Sequence, residues 1–163
     1  MILRSLSLGL LAGLALATSA LAQNHDQIAR VRGGASCPNC NLFQADLTGL
    51  ERAELNLSGA RLRQANLTLA VMNRVRLNNA DLRDINAYGA VLGGADLSGA
   101  DLTNASLVGV WFQNANWRGA KLEGANLSGS DLSGARGLTQ SQLDQACGDA
   151  STVLPAHLTL RAC

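Results

Sequence analysis

The sequence predicts an all-β solenoid: a chain that turns a corner every five residues, closes a square in four units, and stacks about five squares into a tube. Three observations predict it. From Cys40 to Gly134 the chain divides into 19 five-residue units without an insertion or deletion. The third residue of a unit is Leu in 14 of them, and the first is Ala in 12. Aromatic residues make up 3% of the chain although 47% of it is hydrophobic, so small and aliphatic side chains build the core, as a narrow tube requires.

A period of five is neither the helix period of about 3.6 nor the strand period of 2. Two apolar residues spaced by two point the same way, and the residue between them points out. The last two residues bend the chain. The second position is most often Asn or Asp and the fifth often Gly, residues that turns favour. Coils stack about 4.8 Å apart, as strands do, with Leu ladders inside and backbone hydrogen bonds between coils. Two units depart from this rule. Ile85 and Ala87 exchange the large and small inward positions, which keeps the local volume. Arg52 falls on an inward third position, where an unpaired charge is prohibitive. Leu50 is therefore expected to fill the core there, with Arg52 reaching outward from an irregular backbone.

The runs ADLSGADLTNASL and AKLEGANLSGSDLSGA resemble the A(D/N)LxG units of the pentapeptide repeat family. The resemblance covers Cys40 to Gly134, or begins at Ala35. It implies a right-handed quadrilateral β-helix with short helical N- and C-terminal caps. CPNC and GLTQSQLDQACGD are similar to the opening and closing segments of exported members. The resemblance is almost silent on function. Some relatives bind gyrase by imitating DNA, but this chain lacks their acidity.

Residues 1–22 read as an export signal. Arg4 gives a basic start, Leu6 to Leu16 is apolar, and Ala20-Leu21-Ala22 is a small-x-small cleavage pattern before Gln23. The apolar run is short of the roughly 20 residues of a membrane span, and no Cys follows it to carry a lipid. The expected product is periplasmic or secreted, with no stable membrane insertion after cleavage. The expected organisation is residues 1–22 signal, 23–36 N-terminal cap, 37–137 β-helix and 138–163 C-terminal cap. Asp26 to Arg32, ahead of Gly33-Gly34, suits a short helix. Thr139 and Gln142 match a capping box for a second helix from Gln140 to Cys147, ended by Gly148.

Four cysteines allow three pairings. About five coils put the two ends roughly 20 Å apart, whereas a disulfide needs Cα atoms within about 7 Å. Within one chain this leaves Cys37–Cys40 and Cys147–Cys163. The same separation excludes a single zinc site made of all four. A redox-active C-P-N-C would need a thiolate-stabilising helix start, which the pattern lacks. His25 and His157 are isolated. The sequons at Asn56, Asn66, Asn104 and Asn126 follow from the repeat itself. No nucleophile-base set, P-loop or dinucleotide fingerprint is present, so no catalytic residue, metal or cofactor is expected.

Arg4 is the only charge of the signal, so the other 12 basic residues balance the 12 acidic ones. That balance excludes a DNA-mimicking polyanion and argues against nucleic-acid binding. Adding 20 along the repeat stacks the outward residues into four faces. Three are polar. The third reads Glu51, Val71, Val91, Trp111, Asp131, and the adjoining corner adds Leu69, Tyr88 and Val108. An apolar column rimmed by polar residues suggests a contact surface for a protein partner or a homodimer; the alternatives are a terminal segment folded over it, or exposed residues that the fold simply tolerates. A second feature is a basic girdle of Arg61, Arg63, Arg74 and Arg76 on one coil and Arg83 on the next, which reads either as solvated charge balanced by nearby Asp81 and Asp84 or as a candidate anionic-ligand site for an anionic surface or polysaccharide. The expected function is a non-enzymatic structural or interaction protein of the periplasm or cell exterior. The alternative is an envelope protein that binds an anion through the arginine coil.

Overall fold

The computed structural model describes residues 23–163; the proposed export signal lies outside the described residues. The repeat forms a square coil of 20 residues. Parallel bridges join second-position residues one coil apart, as in Asn41–Arg61, Asp46–Asn66, Glu51–Val71 and Asn56–Arg76. We number the faces 1 to 4 after those four residues. Face 1 runs through Asn41, Arg61, Asp81, Asp101 and Lys121, the five rungs expected. Each face contributes a single bridged residue per coil. Two of every five residues are spent in turning, so no continuous strand forms among the described residues.

The unit is fixed by its backbone amides. The third-position N–H of Leu42 donates to Arg61 O at 2.8 Å, the fifth-position N–H of Gln44 to Arg63 O at 3.0 Å, and the second-position N–H of Arg61 to Cys40 O at 2.8 Å. The first-position N–H of Ala45 closes a turn on Leu42 O at 3.0 Å. The fourth N–H is left, and the second side chain takes it. Every second-position Asn or Asp of the 19 units accepts from it, from Phe43 N on Asn41 to Ser133 N on Asp131, at 2.8–3.3 Å. This is the physical reason for Asn and Asp there: they are acceptors within the turn as well as solvated groups.

The fifth residue carries positive φ throughout, in type II turn geometry. Glycine adopts it freely, as at Gly99 with φ 67, but nine other residues of the 19 units are held there, among them Leu69 at φ 56 and Arg74 at φ 55. Inside, the first and third positions of the units are buried apart from Arg52. Ile85 and Ala87 are both buried, as their exchange requires. Leu50 fills the core, while Arg52 is exposed and donates to Glu51 O at 2.6 Å. The Ala53–Glu54 segment bends without the regular turn. Phe112 and Trp117 stand at successive third positions and pack edge to face, with ring centres 4.7 Å apart. The Trp117 indole N–H has no hydrogen-bond partner among the described residues. Ser130 takes a first position; its buried hydroxyl accepts from Val110 N at 3.1 Å and donates to Leu107 O, inserting into the turn of the coil before.

The ends are closed by side chains that act as substitute coils. Helix α1 spans His25–Arg32, one residue longer than expected because Asn24 caps it by accepting from Gln27 N. Val31 is buried beneath it. Gln27 Oε1 accepts from Asn41 N at 2.6 Å, Ser36 Oγ from Asn56 N at 2.9 Å, and Arg32 donates to Asp46 O. Helix α2 is only Gln140–Leu143, shorter than the expected run to Cys147. Its capping box of Thr139 and Gln142 is present. The helix stops early because the last coil still needs partners: Gly124 N donates to Gln145 O and Leu127 N to Cys147 O. Gly148 does not end the helix; it pairs with Ala162 instead. Both expected disulfides form, Cys37–Cys40 with Cα atoms 5.5 Å apart and Cys147–Cys163 at 4.9 Å.

Leu97→Asp places a carboxylate without a partner on a fully buried position. Its cost of several kcal/mol rivals the whole stability of a domain of this size, about 5–15 kcal/mol. No cooperative unfolding transition is expected in circular dichroism. Asp96→Ser, pointing outward one residue away, should fold, since Ser106 already occupies a second position.

The turn carboxylates titrate low. Arg83 holds Asp81 below the usual carboxylate range, and the Ser151 hydroxyl does the same to Asp149. At Asp101 and Asp131 burial works upward, but the hydrogen bonds from Thr103 and from Ser133 with Gln113 outweigh it, so both also lie low. A lowered folded-state pKa stabilises the fold above the unfolded value of about 3.9 and is lost below it. Melting temperatures measured between pH 7 and pH 3 should hold to about pH 4 and then fall. Asp101→Asn with Asp131→Asn keeps the turn acceptors and should flatten that fall.

Candidate functional site

The features singled out in the sequence sit differently in space. The arginines do not converge. Arg63 and Arg83 stand at the corner between faces 1 and 2, and Arg74 at the opposite corner between faces 3 and 4. Three of them are already paired: Arg63 with Asp84 at 3.1 Å, Arg83 with Asp81 at 2.7 Å and Arg74 with Glu54 at 2.7 Å. Arg61 lies over the Phe43 ring, 5.1 Å from its centre, and Arg76 is exposed on face 4. Such surface pairs add little stability, but they balance the charge that an anion site would need. The coil therefore offers a scattered girdle.

Face 3 does converge. Parallel bridges run Glu51–Val71–Val91–Trp111–Asp131 and onward to Val153. Leu69 is 58% exposed, Tyr88 55%, Trp111 47% and Val153 48%, and Val71, Val91 and Val108 are half-buried around them. The C-terminal segment does not cover the column: Cys163 and Arg161 pair with Gly148 across the end of the tube. Val153 is the member that sequence reasoning missed. It follows Asp131 by 22 residues because α2 and its loop intervene, so no five-residue frame reaches it.

Glycine shapes the face. The Trp111 indole leans toward Gly93, where an added Cβ would lie 3.6 Å from Cδ1 and Nε1. The Leu69 side chain lies over Gly89, whereas Gly109 has open space above it. The apolar residues also displace turn acceptors. Val91 cannot hold the Gly93 N–H, and Asn73 of the preceding coil accepts it instead at 3.0 Å. Asp131 interrupts the column before Val153, its carboxylate held by Gln113 at 2.8 Å and by Ser133 N.

Elsewhere the material for chemistry is thin. No group of three metal-ligating side chains exists among the described residues. No helix among them is long and apolar enough to cross a membrane. A groove lined by Lys121, Glu123, Ser141 and Gln145 encloses about 160 Å³, smaller than the roughly 300 Å³ at which ligand pockets begin.

A square solenoid of five-residue units with an exposed apolar face defines the class of this protein: a repeat scaffold. The model of pentapeptide repeats matches it in eight copies, over residues 53–86, 80–116, 105–136 and 118–147, and the chain belongs to the pentapeptide repeat family. Solved members of that family are right-handed quadrilateral β-helices, and the family generally consists of non-enzymatic structural or interaction modules. HetL of the cyanobacterium Nostoc sp. strain PCC 7120, a pentapeptide repeat protein involved in heterocyst differentiation regulation, is 30% identical with a TM-score of 0.53; the match covers 74% of this chain and 52% of HetL. The chain thus spans about half the length of HetL. The pentapeptide repeat protein alr5209 of Nostoc is 23% identical with a TM-score of 0.52, over 83% of this chain and 98% of that one. No curated protein matches the chain.

The two tryptophans report on this arrangement. Trp117 is fully buried and Trp111 half exposed. Acrylamide should quench one component of the emission readily and the other poorly, and Trp111→Phe should remove the quenchable one. Equal protection of both residues would contradict the open face.

Proposed function

We propose that this chain is a non-enzymatic exported protein of the periplasm or cell exterior that acts by presenting face 3 to a protein partner. One observation carries the reading: Val71, Val91 and Trp111 occupy three successive rungs where an Asn or Asp would cap the turn, and their apolar surface stays open. Eleven other units place an Asn or Asp there, whose side chain accepts the turn amide. Burying an exposed Trp against a partner gives the kind of anchor that dominates interfaces. Export rests on residues 1–22 and agrees with two end-locking disulfides, which persist in oxidising compartments. A regulatory role in a relative such as HetL is consistent with a contact scaffold.

The test is Trp111→Ser with Val91→Ser. Both side chains point outward, so the variant should melt within a few degrees of the wild type. It should lose contacts that crosslinking and pull-down from the native envelope detect with the wild type, and those contacts should be insensitive to salt. Equal capture by wild type and variant would reject face 3 as the contact surface.

A further inference from the structure

We propose that the Cys147–Cys163 disulfide is a site of thiol–disulfide exchange with a reduced dithiol, and that its reduction unlatches residues 154–163 and opens the C-terminal end of the tube. The two disulfides sit in different surroundings. Cys37 is 1% exposed and Cys40 7%, whereas Cys163 is exposed and Cys147 half-buried. Cleaving the first bond would free no chain: Cys37 N donates to Asn56 O and Asn39 N to Ser58 O, both at 2.8 Å, so bonds to the next coil hold that backbone in place. The second bond ties down a chain end, and exposed disulfides are the ones that an attacking thiolate reaches. The incoming thiolate attacks the exposed Cys163 Sγ, and Cys147 leaves as the thiolate. The second thiol of the reagent then displaces Cys163. The protein disulfide is reduced to two thiols, the dithiol is oxidised to a disulfide, and its two protons end on Cys147 and Cys163.

The segment beyond Val153 is held lightly. Val153 itself is fixed on face 3, its N–H on Ser130 O at 2.9 Å and its carbonyl accepting from Leu132 N at 2.8 Å. After it every residue is exposed or half-buried. Gln140 meets Thr159, its Oε1 accepting from Thr159 N and its Nε2 donating to Thr159 O, both at 3.0 Å. Arg161 Nε donates to Ala146 O at 2.9 Å. Gly148 N donates to Arg161 O and Cys163 N to Gly148 O, both at 2.9 Å. Leu154, Leu158 and Leu160 add partial apolar contact with the core. Water competes for each of these bonds, so each returns little, and against them stands the conformational entropy of the whole segment. The disulfide closes a loop with a sequence separation of 16, which favours the closed strap roughly a hundredfold. Without it the balance tips to the open strap. Leu160 Cδ2 fills the space over Gly148, so release uncovers Gly148, strips the Gly148 N–H and C=O and the Ala146 C=O of these partners, and leaves an open strand edge beside two thiols.

Dithiothreitol added to the native protein, followed by alkylation and peptide mass spectrometry over time, should label Cys147 and Cys163 at least about tenfold faster than Cys37 and Cys40. In hydrogen exchange the Gly148 and Cys163 amides should lose protection at least about tenfold on that reduction, while the Leu97 amide, bonded to Asn116 O inside the tube, keeps its own. Cys147→Ser with Cys163→Ser should show the opened end without reductant, and reductant should change that end no further. Equal rates of reduction at the two disulfides, or faster reduction of Cys37–Cys40, overturn the exchange site. A Gly148 amide that stays protected in the reduced protein or in the double variant overturns the latch.

Discussion

The structure depends on closing a square in 20 residues while giving the backbone amides of each unit an acceptor. Three of the five N–H groups in a unit bond to neighbouring coils and one closes the turn. The remaining one, on the fourth residue, is taken by the second side chain in the eleven units that carry Asn or Asp there, and at Gly93 by Asn73 of the preceding coil. A chain that bends this often has no room for a continuous ladder, so single parallel bridges replace strands. Buried amides without acceptors cost too much to tolerate repeatedly, which ties the whole tube to one five-residue pattern.

The same closure explains what the interior accepts. Large and small inward residues can exchange, as at Ile85 and Ala87, because the volume of the rung is preserved. Two rings fit only by meeting edge to face, as Phe112 and Trp117 do. A charge is expelled: Arg52 leaves the core and the regular turn is lost with it. At the ends, where no further coil exists, the amide requirement passes to side chains. Gln27 and Ser36 serve the first coil, and the Gln142 amide donates to Trp117 O and Ala120 O at the last, both at 2.8 Å.

Outward side chains cap turns at the Asn and Asp positions and otherwise make surface hydrogen bonds and ion pairs between coils, which add little, so the faces can vary at small cost to the tube. Function in such a scaffold resides in departures from the pattern. The arginines and the apolar column were both visible as departures. Only stacking separates them: the column lies on one face, while the arginines go around the tube and find carboxylates at Asp81, Asp84 and Glu54.

The sequence by itself determined the tube, its frame, its coil number and the disulfide pairing, because an unbroken period of five leaves one way to place inward residues and puts the two ends too far apart to share a bond. It also determined the membership of face 3 from Glu51 to Asp131, since a fixed step of 20 stacks residues without further information. The tertiary structure alone decided where that step fails. Val153 joins face 3, and α2 ends at Leu143, because the open amides of the last coil draw the chain back into register at Gln145 and Cys147. No local propensity encodes that demand; it exists only once the preceding coil is in place. The exposure of Trp111 was decided in the same way, by the C-terminal segment closing the end of the tube rather than its side.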